Sequence, residues 1–67
     1  MRMHIEFSEA CDIMKAMDPY GKNSLLNGCE YVKETISNYS CWEEAPISFK
    51  EYTAFRVVCA EMSKLFV

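Results

Sequence analysis

Residues 47–67 read ISFKEYTAFRVVCAEMSKLFV, and the first six positions specify where a helix begins. Ser48 is placed as an N-cap, Glu51 three residues later completes a capping box, and Ile47 and Tyr52 occupy the two positions of a hydrophobic staple. The Ser hydroxyl satisfies a backbone N–H that the first turn leaves without a partner, and the Glu carboxylate returns to the N–H of the cap itself. Behind this start Tyr52, Phe55, Val58, Cys59, Met62, Leu65 and Phe66 recur at helical spacing, which predicts a helix over 49–66. Ala54, Val57 and Ala60 widen the apolar arc and confine Thr53, Arg56, Ser63 and Lys64 to a narrow polar strip. So broad an arc has to be covered by the rest of the chain or by another molecule.

Upstream, Pro46 closes a connector over 39–46 in which Tyr39, Cys41 and Trp42 stand beside Glu43 and Glu44. Before it, Asn23 or Ser24 opens a segment whose Leu25, Cys29, Val32, Ile36 and Tyr39 fall at four- and three-residue steps, while Glu30, Lys33, Glu34 and Ser37 lie off that stripe. This predicts a second helix over about 24–39. Gly28 is its weak position, because an interior Gly costs about 1 kcal/mol relative to Ala and Asn-Gly is a hairpin-turn dipeptide; a start after Gly28 is the alternative. Ahead of that, Ala10, Ile13, Met14 and Met17 predict a first helix over about 8–18, capped by Ser8 or else beginning at Arg2 or Met3. Asp18-Pro19-Tyr20-Gly21 supplies the turn that ends it. Met3, Ile5 and Phe7 alternate with Arg2, His4 and Glu6 at the period of a short half-buried strand. The fold class is therefore all-α, a single domain over 1–67 with three helices and room for a short N-terminal strand.

Composition narrows the classes of function. Half the chain is hydrophobic and 13% aromatic, the balance of a folding chain rather than a disordered one. At 67 residues it buries only about 60% of the surface its unfolded form exposes, so a disulfide, a metal or a partner would be a natural support. Ten acids against seven bases give a net charge of −3 with no basic run, which argues against generic attraction to nucleic-acid phosphates. Arg2, His4 and Glu6 interrupt the N-terminus, with no signal-peptide core and no span of membrane length, so a soluble cytoplasmic protein is expected.

Cys11, Cys29, Cys41 and Cys59 allow three disulfide pairings, but cytosolic thiols stay reduced, and three of these four lie on or beside apolar helix faces. Free thiols acting as small hydrophobes are expected. A zinc site with His4 as an extra ligand is the alternative, and it lacks the close cysteine pairs that structural zinc usually draws on. No cofactor or metal is expected. Catalysis lacks an inventory as well. There is one histidine and no phosphate-binding glycine loop; a Cys11–His4 pair would have no orienting third group, and adjacent Glu43 and Glu44 point apart.

The order of short strand, helix, Gly-containing turn and helix resembles a ribbon-helix-helix protein, on Met3, Ile5 and Phe7 facing inward and Gly21-Lys22-Asn23-Ser24 leading into the second helix. The resemblance covers about half of the chain. It implies a dimer whose paired strands present Arg2, His4 and Glu6 to the major groove of DNA. Glu6 carries the wrong sign for most such contacts, and the third helix is additional to that family's core.

The reading that uses the most residues is a non-catalytic protein-binding module, with the ribbon-helix-helix DNA-binding regulator as the alternative. Its partner would be another protein or complex, or a second copy in a homodimer. An inhibitor or adaptor acting stoichiometrically, of the kind with which small phage proteins block host defence complexes, is one concrete form. The candidate partner-binding residues are Tyr39, Trp42, Glu43 and Glu44 in the connector and Phe49, Val57, Leu65 and Phe66 on the third helix, because Trp and Tyr dominate interface hot spots and acids steer a basic partner. The competing readings make Trp42 a lid on the core and bury the third helix centrally between the other two.

Overall fold

The structure, a computed structural model, describes residues 4–64. Three helices carry the fold: α1 (Phe7–Ala16), α2 (Leu25–Ser37) and α3 (Phe49–Lys64), with a single 3₁₀ turn over Trp42–Glu44 between the last two. Among the described residues there is no strand. His4–Glu6 is irregular; Ile5 is buried between exposed His4 and Glu6, but Phe7, expected to face inward with it, is exposed as the first residue of α1, and Arg2 and Met3 lie outside the described residues.

The start of α3 follows the local chemistry closely. Glu51 N–H donates to Ser48 Oγ at 3.1 Å, and Ser48 N–H donates to Glu51 Oε1 at 2.9 Å. Ile47 is buried, and Tyr52 packs against the same core. At α2 the cap is Ser24, whose hydroxyl accepts from the Asn27 N–H at 3.2 Å. The helix therefore begins ahead of Gly28 rather than after it. At α1 the start moves two residues earlier than a Ser8 cap would place it: Glu6 occupies the cap position with no side-chain bond, and its carbonyl receives the Ala10 N–H at 2.8 Å.

Gly28 is where two helices meet. A Cβ built on it would overlap the Met14 carbonyl oxygen and lie 2.7 Å from the carbonyl carbon, so α2 rests directly on the last turn of α1. No side chain fits between two backbones at that separation, which explains an interior Gly that propensity alone disfavours.

The core is built from Ile5, Ala10, Met14, Val32, Ala45, Ile47, Ala54 and Val58. Its hub is α1, not α3. The shortest helix packs against both others, most extensively against α3, whereas α2 and α3 touch only lightly. The competing reading in which the most apolar helix sits centrally is not what the packing gives: burial on α3 is complete only at Ala54 and Val58, and Cys59 and Ala60, expected on or beside its apolar stripe, are exposed. An exposed Lys50–Glu9 ion pair at 3.6 Å spans α3 and α1.

The two connectors are compact. In the first, the Gly21 N–H donates to the Asp18 carbonyl at 3.2 Å, closing the expected turn around Pro19 and Tyr20, and Gly21 takes a φ of 68°. In the second, the Ile47 N–H reaches the Ala45 carbonyl at 2.7 Å across Pro46, which turns Ala45 and Ile47 into the core on either side of the proline.

Candidate partner-binding surface

The 3₁₀ turn lays Trp42 against the first two turns of α3. Its ring stacks on Tyr52 with centroids 4.7 Å apart and planes 7° off parallel, and it meets Phe49 at 5.7 Å with a 37° tilt. The Arg56 guanidinium lies over the Tyr52 ring, 5.9 Å from its centroid. Phe49, Tyr52 and Arg56 share a helix face because they are three and four residues apart. Trp42 and Tyr52 are half-buried, whereas Phe49 keeps 46% of its surface in water. A stacked aromatic pair contributes about 0.5–1.5 kcal/mol beyond area burial, so the cluster also anchors the connector.

Glu43 and Glu44, both exposed, form the rest of the same 3₁₀ turn. The Ser40 hydroxyl donates to Glu44 Oε2 at 3.2 Å, and the Glu43 carboxylate has no hydrogen bond or ion pair among the described residues. The outcome is an aromatic surface with negative charge at one end and Arg56 at the other.

Of the residues expected to form one surface, the structure therefore brings together Trp42, Glu43, Glu44 and Phe49. Tyr39 is exposed just beyond the end of α2, its N–H bound to the Ile36 carbonyl at 3.0 Å, with no ring contact to this cluster. Val57 is half-buried and packs against the core, and no aromatic contact joins it to this cluster. Leu65 and Phe66 lie outside the described residues. Tyr52 and Arg56 had been assigned to the apolar stripe and the polar strip. The signal that joins them to Phe49 is present in the 49, 52, 56 spacing, but Trp42 becomes their neighbour only through the turn at Pro46.

Cys11, Cys29, Cys41 and Cys59 are free thiols. Cys11 and Cys29 pack half-buried against the core, as expected of small hydrophobes, while Cys41 and Cys59 are exposed. Burial, reinforced by the neighbouring Cys59 and Cys11, pushes the Cys29 thiol up to about 11. Partial burial also raises Cys59, against the opposing charge of Lys33. Both thiols are thus held protonated at neutral pH, the reverse of what activates a cysteine nucleophile. Among the described residues no three His, Cys, Asp or Glu side chains are grouped to hold a metal ion. None of the described helices is long and apolar enough to cross a membrane.

The chain matches no protein-family model, and comparison with curated proteins and with solved structures likewise found no match.

Proposed function

We propose that this protein is a non-catalytic binding module that engages another protein, or a second copy of itself, stoichiometrically through the surface formed by Trp42, Phe49 and Tyr52. The observation that carries this reading is Phe49: an aromatic ring left largely in water beside a half-buried stacked tryptophan, with two exposed carboxylates at the rim. Interfaces concentrate their energy in such rigid aromatic anchors, and rim charges set the rate and orientation of encounter. A half-buried ring stacked on Tyr52 can steady the connector and still present an edge to a partner. An inhibitor or adaptor on a larger complex is the form of activity that fits a small binding domain of this kind.

The test compares the wild-type chain with Trp42→Ala and Phe49→Asp, using sedimentation for self-association and native mass measurement of complexes captured from the cell of origin. Loss of a defined complex in both variants, with helical circular dichroism retained, is the expected result. A wild-type chain that forms no complex of either kind, or variants that bind as well as wild type, would overturn the reading.

A further inference from the structure

The surface around Trp42 carries charges of both signs, and they do not meet within one chain. Glu43 and Glu44 stand exposed on the 3₁₀ turn, while Arg56 stands exposed on α3, seven residues or about 10 Å along the helix from Phe49. The Trp42–Tyr52 stack and the Phe49 ring fill the middle of this surface. Arg56 is steadied over the Tyr52 ring at 5.9 Å, yet its guanidinium has no hydrogen bond or ion pair among the described residues, and neither has the Glu43 carboxylate. Glu44 accepts only the Ser40 hydroxyl there.

A two-fold rotation about an axis through the middle of such a surface exchanges its ends. It sets the acidic end of one copy against Arg56 of the other, does so twice, and closes the aromatic middles on each other, so that Phe49, 46% exposed in the single chain, loses its contact with water. The same surface laid down in parallel would set acid against acid and arginine against arginine, which costs affinity. A partner of one sign would satisfy one end and oppose the other. The chain is thus complementary to itself in one orientation, with the rings supplying affinity and the charges selecting that orientation.

Resting on the reading that this surface binds protein, we propose that its occupant is a second copy of the chain, paired about a two-fold axis near the Trp42–Tyr52 stack, with Arg56 of each copy on Glu43 and Glu44 of the other. Arginine suits that position, because its planar guanidinium keeps its place on a ring while its N–H groups fork onto a carboxylate. A patch built around six side chains is small beside the standard interface of about 800 Å² per partner, so the dimer is weak and exchanges its subunits. The net charge of −3 on each copy opposes approach from a distance, and salt at about 0.1 M screens that repulsion beyond about 10 Å while sparing contacts closed at the interface.

The test measures the mass of the full chain by sedimentation equilibrium from micromolar to millimolar concentration in that salt. The wild type should pass from monomer to dimer and stop there, because a two-fold interface closes on itself. Arg56→Glu sets acid against acid at both ends of the interface, and Glu43→Lys combined with Glu44→Lys sets base against base; each should weaken dimerisation about tenfold or more with helical circular dichroism retained. An equimolar mixture of the two restores both opposite-charge contacts, so it should regain wild-type affinity as a heterodimer, resolved by native mass measurement. No rescue on mixing, or variants that dimerise as well as wild type, would overturn the proposal. A monomeric wild type that still captures another protein through Trp42 and Phe49 would overturn it and leave the broader reading standing, whereas a wild type that forms no complex of any kind would overturn both.

Discussion

Gly28 and Asp18 show how single residues set the geometry between helices. In an isolated helix Gly→Ala gains about 1 kcal/mol. At position 28 the added methyl would drive into the Met14 carbonyl, and backbone cannot swing aside as a flexible side chain can. Gly28→Ala should therefore lose about 1–3 kcal/mol, the range of overpacked sites, read as a lower urea midpoint. A gain would show that α2 can shift away from α1. Asp18, only 8% exposed, is the buried charge of the molecule among the described residues. Burial alone would raise its carboxyl, but bonds from the Tyr20, Ser24 and Lys22 N–H groups and from Asn27 outweigh this and hold it below the usual range. A carboxylate depressed in the folded state stabilises the fold above its unfolded pKa, about 3.9, and loses that contribution as pH falls through the lower folded value. Asp18→Asn should therefore be less stable than wild type at neutral pH, and the difference in urea midpoint should close on acidification. A gap that stays constant with pH would mean that the carboxylate's charge is not what stabilises the turn.

Among the elements, α3 is the one whose start was most legible, because its determinants are local. Ser48, Glu51, Ile47 and Tyr52 need nothing outside a six-residue window, and the reciprocal bonds form as the pattern requires. Ser48→Ala should cost about 1 kcal/mol and shift the urea midpoint without changing its slope; a loss of a few tenths or less would mean that the Trp42 stack, not the cap, holds the start of the helix. The three-helix class and the apolar positions Ala10, Met14, Val32 and Val58 were equally legible from periodicity. Gly28 was not, since the reason for it is a carbonyl fourteen residues earlier. The same holds for the binding surface. Trp42 and Phe49 were recognisable one by one as aromatic anchors, but the turn across Pro46 decides that they face each other.

At the scale of the whole molecule, periodicity says which face of a helix is buried and is silent about which neighbour buries it. That is why a central α3 and a partly uncovered one were both open from the pattern, whereas packing makes α1 the centre. Met14, fully buried on α1, shares one core with Val32 of α2 and with Ala54 and Val58 of α3. Truncating it should be felt on both sides. Met14→Ala should cost about 2–5 kcal/mol, most or all of what a domain this small has available, and abolish the cooperative urea transition rather than displace it. A modest loss with a sharp transition would indicate that the helices close over the vacated space.

The light contact between α2 and α3 also bears on cooperativity. Two elements that scarcely touch cannot support one another directly, so each remains folded only while a shared ten-residue intermediary does. The molecule behaves like an arch with α1 as keystone, and partial unfolding that spares one limb has little to stabilise it. Trp42 fluorescence, reporting on the α3 limb, and far-ultraviolet ellipticity, reporting on all three helices, should then trace the same urea curve.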